Sequence, residues 1–290
     1  MARNIDFLII GTPKSGTTSL NDYLSQHPNI YLPQRKDDGM FITYLPAEHP
    51  EAFCLWYQDI RDETLIGGAE VNLMYFPDTA ERVYRYNPQM KLIAVLRNPI
   101  ERAYSAYWYY VRLGWETSAT FEEAIEREPV RCYNSMRDRS ALTYLEHGYY
   151  YEQLVRYFEY FPRSHVYIIL SEDLRYDTQQ TLVQIMTWLG VDPERGSIDL
   201  SVRSNESGAP KSRKFSQIIG SRHTWYHDML RKVTSQRLRQ TLAEKLIQLN
   251  TKPFEYPRMH PDTRANLAEC FAPHNAQLAQ LIGRDLSHWS

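Results

Sequence analysis

Phe7-Leu8-Ile9-Ile10-Gly11-Thr12-Pro13-Lys14-Ser15-Gly16-Thr17-Thr18 is the stretch on which the fold turns. Its first four residues form a short apolar run that stops at Gly11, and a turn-rich stretch follows. From Ser19 to His27 the spacing is helical. That order reads strand, loop, helix. A loop at a strand end that opens a helix presents N–H groups without intrahelical partners, at the positive end of the helix dipole, and so suits an anion. The string alone also fits a turn capped by serine and threonine. Its position between strand and helix favours a phosphate cradle.

Working outward, a second unit of the same kind begins at Lys91-Leu92-Ile93-Ala94-Val95-Leu96. It stops at Arg97-Asn98-Pro99 and resumes from Glu101 to Arg112 with amphipathic spacing. A third apolar run, Val166-Tyr167-Ile168-Ile169-Leu170, follows a helical stretch from Tyr150 to Phe161. Buried-type strands alternating with helices predict an α/β, three-layer, P-loop-like fold, a central parallel sheet flanked by helices. A single domain over residues 1–290 is expected. Asp199 to Lys214 is polar and rich in Ser, Arg and Lys, as suits a surface loop or a lid. Phe215 to Leu249 is helical in pattern. Pro253, Pro257 and Pro261 break it before a last helix, Asp262 to Leu281.

Lys and Arg number 33 against 35 Asp and Glu, for a net charge of −2, so the chain lacks the positive field of a nucleic-acid binder. Any phosphate site must be local. The apolar run at the start is too short for a signal peptide or a spanning helix. The chain therefore reads as cytoplasmic, complete at its front and not inserted in a membrane. Cys54, Cys132 and Cys270 show no C-x-x-C spacing and read as reduced core thiols rather than a zinc site or a disulfide framework. The 22 tyrosines cluster in helical segments such as Tyr104–Tyr110 and Tyr149–Tyr160, as helix packing residues with a polar tip. No signal for an oligomeric state stands out.

A Walker loop carries its lysine after the second glycine and a hydroxyl residue for magnesium. Here Thr17 holds the lysine's position, Lys14 lies inside the loop, and the second strand ends in Arg97 rather than in a metal-binding aspartate. These departures point to transfer of an anionic group without a metal, with Lys14 neutralising charge on a departing oxygen. Two other readings stay open: a P-loop kinase or hydrolase using ATP, and a nucleotide-binding module of weak catalytic power.

These residues resemble the sulfotransferase family that uses 3'-phosphoadenosine 5'-phosphosulfate (PAPS). Pro13-Lys14-Ser15-Gly16-Thr17-Thr18-Ser19-Leu20 is similar to the family's loop for the 5' phosphosulfate, and Leu96-Arg97-Asn98-Pro99-Ile100-Glu101-Arg102-Ala103-Tyr104-Ser105 to its 3'-phosphate motif. Gly148 to Leu154, Ser171 to Leu174, and Cys270 to Trp289 also look like bacterial members. The resemblance implies a transferase with PAPS as co-substrate, no metal, and a small-molecule, carbohydrate or biosynthetic-intermediate acceptor. It implies that Lys14 contacts the leaving phosphate, with Ser15, Gly16, Thr17 and Thr18 in the cradle, while Arg97 and Ser105 hold the 3'-phosphate. An aromatic in this family packs on adenine, which makes Tyr150 or Tyr151 a candidate. Ser207 to Lys214 resembles a late basic loop, with Lys211, Arg213 and Lys214 as candidates over the nucleotide.

Sulfuryl transfer to an alcohol also needs a group to take the proton. Many carbohydrate-type members carry a glutamate in a Lys-Glu-Pro stretch, where this chain has Lys36-Asp37-Asp38-Gly39-Met40-Phe41. Asp37 is thus the expected base, with Asp38 and Glu70 as rivals. Gly68-Ala69-Glu70-Val71-Asn72 resembles the family's strand end beside the acceptor, and Val71 stands where carbohydrate enzymes often have lysine. That departure weighs against a polyanionic, heparan-like acceptor. No histidine falls in a base position, and His274 reads as a cap or packing residue of the last helix.

Overall fold

The computed structural model describes residues 4–33, 39–43, 57, 60, 64–201, 208–220, 245–253 and 256–289. The strands are β1 (Phe7–Gly11), β2 (Ile30–Tyr31), β3 (Leu65–Ala69), β4 (Lys91–Leu96), β5 (Val166–Leu170), β6 (Gly208–Pro210) and β7 (Thr251–Pro253). The helices begin with α1 (Thr17–Leu24), α2 (Thr79–Tyr86), α3 (Pro99–Arg112), α4 (Phe121–Glu126), α5 (Glu128–Arg131) and α6 (Met136–Ala141). They continue with α7 (Tyr150–Phe158), α8 (Ser171–Tyr176), α9 (Thr178–Leu189), α10 (Arg213–Gly220) and α11 (Pro261–Ile282). Two compact units result: Met1–Arg102 with His147–Asn205 and Ala268–Ser290, and Ala103–Glu146 with Glu206–Leu267.

In the first unit the sheet order is β2-β3-β1-β4-β5, and every pairing is parallel. Strand side chains alternate between faces, so each strand feeds two cores. Leu8, Ile10, Leu92, Ala94, Leu96 and Leu170 join one cluster, with Leu154 and Tyr157 of α7 and with Trp289. Phe7, Ile9, Ile93, Val95 and Ile169 join the other, with Leu20 and Leu24 of α1 and Ile185 and Leu189 of α9. A sheet buried on both faces accounts for the continuous apolar runs, each fully buried Leu or Ile being worth about 1.5–3 kcal/mol. The predicted α/β three-layer architecture is the observed one. β3 lacks such a run because Phe7 fills the space beside it: a Cβ on Gly67 would stand 2.2 Å from the Phe7 ring.

The second unit is held by a buried charge pair and an aromatic cluster. Arg131 donates from Nη1 to Glu116 Oε2 (2.7 Å) and from Nη2 to Glu116 Oε1 (2.9 Å), while Tyr144 Oη donates to Oε2 at 2.6 Å. Burial would raise the Glu116 pKa, but Arg131 and the surrounding donors outweigh it and hold the carboxyl below its ordinary value. Tyr107, Phe121 and Tyr144 pack in tilted and edge-to-face pairs, and Trp108 stacks on Tyr256 at 5.6 Å. The Tyr104–Tyr110 cluster thus packs as expected. β6 and β7 pair antiparallel.

The last helix, expected from Asp262, starts at Pro261, where a proline suits the first turn. Among the described residues no helix is long and apolar enough to cross a membrane. Contrary to expectation, Cys132 and Cys270 are not in the core: Cys132 is half-buried and Cys270 exposed. Sequence spacing does not say how deeply a cysteine is buried. Cys54 lies outside the described residues.

Candidate active site

Three candidate elements lie at the carboxyl ends of the neighbouring strands β3, β1 and β4, where α/β sheets bind ligands at a change of strand order. After β1 comes the loop. Gly16 caps α1 in the left-handed region (φ 101°) without a side-chain cap, and the first turn of α1 holds no acidic residue. The initial N–H groups of the helix therefore meet no competing carboxylate from their own turn. Lys14 is also left-handed (φ 69°). Inside the loop Thr12 Oγ1 lies 2.6 Å from Ser15 Oγ and donates to Val95 O at 3.1 Å. Ser15 and Thr17 are buried, Thr18 is half-buried and Gly16 is exposed. At Gly11 a Cβ would stand 2.8 Å from Met74 Sδ and 3.3 Å from Val71 O, so a larger residue there would make the Met74 side chain shift.

After β4 comes Arg97, half-buried, donating from Nη1 to Lys14 O at 3.0 Å. The fork thus joins the second motif to the first. Its Nη2 lies 4.0 Å from Glu101 Oε2. Burial lowers the Arg97 pKa and Glu101 opposes that shift. An arginine starts high enough to stay charged regardless. The donor set of loop N–H groups, Lys14 and Arg97 is all-cationic or dipolar, and it fits a phosphate or phosphosulfate group.

After β3 comes Glu70, 4% exposed. Its N–H donates to Ile9 O at 3.0 Å and its Oε2 accepts from the Gly39 N–H at 2.8 Å. The carboxylate therefore anchors the backbone directly after the expected base. Asp37 and Asp38 themselves lie outside the described residues. Beyond Glu70 the chain turns through residues 71–76, and Met74 N–H donates to Ile10 O at 3.1 Å.

Tyr150 takes a different part from the one the resemblance implies. Its ring is 1% exposed and packs edge-on to Trp289 at 6.1 Å, so it has no face for a purine. Its hydroxyl donates to Arg97 O at 2.8 Å. Tyr151 is a half-buried packing residue of the same core.

The remaining candidates belong to the second unit. Ser105 is half-buried on α3, two turns after Arg97, in the part of that helix assigned to this unit. Arg213 is committed to its own unit, donating to Ala119 O (3.2 Å), Tyr107 Oη (3.3 Å) and Ser118 O (3.0 Å). Lys211 Nζ donates to Leu249 O at 2.8 Å, and Lys214 is exposed. Sequence reasoning missed Thr12 as a tie between the loop and β4, and it missed Arg156, whose side chain holds Met74 O and Tyr75 O. Thr12 sat unremarked inside the loop motif. No local signal marks Arg156.

Strand order and loop together define a P-loop-like α/β protein whose nucleotide loop lacks the Walker lysine. The sequence model of the sulfotransferase domain matches residues 4–260, and the chain belongs to that family, an enzyme class that depends on PAPS. A sulfotransferase crystal structure from Alicyclobacillus acidocaldarius is 29% identical, covering 100% of this chain and 99% of that one at a TM-score of 0.72. A mouse sulfotransferase, SULT7A1, solved in complex with PAP, is 18% identical over 94% of this chain and 84% of its own, at a TM-score of 0.52, and shares the fold. The human bifunctional heparan sulfate N-deacetylase/N-sulfotransferase 3 is 24% identical over 98% of this chain. A membrane-associated sulfotransferase, kil1 of Dictyostelium discoideum, is 35% identical over 37% of it. The chain spans 31% and 23% of the length of these two curated relatives.

Proposed function

We propose that the protein moves the sulfuryl group of PAPS to a hydroxyl or amine of a small-molecule, carbohydrate or biosynthetic-intermediate acceptor by in-line displacement. The observation that carries this reading is the Arg97–Lys14 junction at the ends of β1 and β4, which joins a 5'-phosphate loop to a 3'-phosphate arginine. In the transfer, the acceptor oxygen or nitrogen forms the new bond to sulfur while the bond to the bridging oxygen breaks. The leaving 3',5'-bisphosphate (PAP) takes that electron pair, and Lys14 neutralises the charge, a task that needs no metal. Ser15, Gly16, Thr17 and Thr18 cradle the 5' group, and Arg97 with Ser105 takes the 3'-phosphate. Lys211 and Lys214 supply positive charge on the late basic loop, which Arg213 anchors.

Asp37 takes the acceptor proton in this reading, with Asp38 and then Glu70 as alternates. The bond from Gly39 to Glu70 supports a division of labour, in which Glu70 holds Gly39, two residues after the base. The mouse relative is complexed with PAP and the human one is named for heparan sulfate N-sulfation, in keeping with an oxygen or nitrogen acceptor. Val71, in place of a lysine, favours an acceptor less anionic than heparan. We also propose that residues 1–290 act as one sulfotransferase domain, since the family match runs through both units.

Calorimetric titration with PAP in the presence of a chelator tests the donor assignment. PAP should bind without metal and ATP only weakly. Binding of ATP as tight as that of PAP would refute it. Labelled PAPS offered with a panel of phenols, sugars and amines then reads the acceptor.

A further inference from the structure

One helix reaches both sides of the site through side chains that the transfer chemistry does not use. At the start of α7, Tyr150 donates to Arg97 O at 2.8 Å, and the Arg97 side chain in turn donates to Lys14 O in the phosphate loop at 3.0 Å. Near its other end, Arg156 Nη2 donates to Met74 O at 2.8 Å and to Tyr75 O at 3.2 Å. Those carbonyls belong to the turn that follows Glu70. Tyr157 is wholly buried, and its hydroxyl lies 3.2 Å from Thr79 Oγ1, which donates to Leu73 O at 2.5 Å in the same turn. Just before the helix, His147 stacks on Tyr75 at 4.1 Å and 10°, with Nε2 3.2 Å from Asn72 Oδ1.

Residues 150 and 157 are two turns apart and face the same core, so the helix cannot shift along its axis without disturbing both sets of bonds. Arg156 is only half-buried, and burial lowers its pKa. It still puts one cationic nitrogen on two backbone carbonyls, where a neutral side chain of similar length would place nothing.

We infer that Tyr150 and Arg156 are positioning residues that set the two halves of the transfer site separately: Tyr150 the phosphate loop and Arg97, Arg156 the turn after Glu70. The inference rests on the PAPS reading above for what the first half binds. Its two halves are distinct because the Tyr150 bond ends on Arg97, the residue that joins the β4 and β1 motifs, and the Arg156 bonds end on the segment after β3.

The test uses the full chain and two readouts, PAP affinity by calorimetry and amide hydrogen exchange by peptide. Tyr150→Phe keeps the ring on Trp289 and removes the hydroxyl. It should weaken PAP binding about five- to tenfold, the scale of one buried hydrogen bond, and speed exchange in peptides spanning 12–18. Arg156→Met should speed exchange across 71–76 and leave PAP affinity within about twofold of wild type. Arg156→Lys, which still offers one donor, should restore part of that protection. Should Tyr150→Phe fail to fold, the Arg156→Met arm decides: faster exchange confined to 71–76 supports the separation, and faster exchange that also reaches 12–18 overturns it. Faster exchange spread evenly over both segments in either variant would overturn the inference, as would unchanged exchange in both. If the wild type does not bind PAP, the donor reading fails, and the exchange pattern still decides the inference.

Discussion

Replacing Arg97 by alanine separates its two duties. One arm of the guanidinium holds Lys14 O at 3.0 Å. The other faces Glu101 from 4.0 Å, and that nitrogen is the one proposed for the 3'-phosphate. Losing one charged partner of a phosphate costs about 2–5 kcal/mol where the group is fully desolvated. The Arg97 side chain keeps 32% exposure, so solvent screens part of that. The lower part of the range, about 2–3 kcal/mol, corresponds to roughly 30- to 150-fold weaker PAP binding. Adenosine 5'-phosphate, which lacks the 3' group, should lose only the loop's share, about fivefold for one hydrogen bond. The assay is calorimetry of both nucleotides on both proteins at one salt concentration. A preference for PAP that collapses in Arg97→Ala supports the assignment. Equal losses for the two nucleotides would refute it and leave Arg97 as a clamp on the loop alone.

Lys14→Ala should lower kcat with PAPS far more than PAP affinity, because charge on the departing oxygen is greatest in the transition state; rapid-quench turnover set against calorimetry reads the split. Asp37→Asn should abolish most turnover and remove the acidic limb of the pH–rate profile while PAP binding stays intact; if Glu70→Gln does this and Asp37→Asn does not, the base is at the strand end. Glu116→Gln leaves Arg131 buried without its countercharge and should destabilise the protein by about 3–5 kcal/mol, measured by urea melts. The Glu116 carboxyl has its pKa lowered in the folded state, so its stabilisation is fully present above the ordinary value of 4.5 and is lost as pH falls below it. The urea midpoint should therefore drop below pH 4.5 in the wild type with a component that Glu116→Gln lacks.

The fold was legible where burial on both faces forces continuous apolar runs, as in β1, β4 and β5, and where proline or glycine punctuates a helix. It was faint at β3, Leu-Ile-Gly-Gly-Ala, where Phe7 occupies the space a side chain on Gly67 would take. No pattern within β3 can announce a neighbour's ring. The expected helix from Phe215 to Leu249 is seen at α10 and at residues 245–249, and the stretch between lies outside the described residues. The first helix was expected from Ser19 and begins at Thr17, since Gly16 in the left-handed region ends the loop sooner than polarity suggests.

Motif reading names candidate residues more readily than it assigns their roles, and Tyr150 shows the physical reason. A tyrosine at a helix start satisfies a stacking role and a core role with the same local pattern. What separates them is whether another segment covers the ring, here Trp289 from 139 positions further along the chain. Arg213 fails to read for the same reason: three adjacent bases look alike, and only the carbonyls of Ser118 and Ala119 and the Tyr107 hydroxyl single out the middle one. Glu70 is the converse. Its position at a strand end was visible, but its work was not, because a carboxylate that accepts from Gly39 looks in sequence like one that accepts a substrate proton. A buried carboxylate bound to a backbone N–H serves the fold whether or not it also meets a substrate, and no residue from Gly68 to Asn72 tells those two duties apart. Only the paired substitutions at Asp37 and Glu70 separate them, because each removes one carboxylate and leaves the other in place.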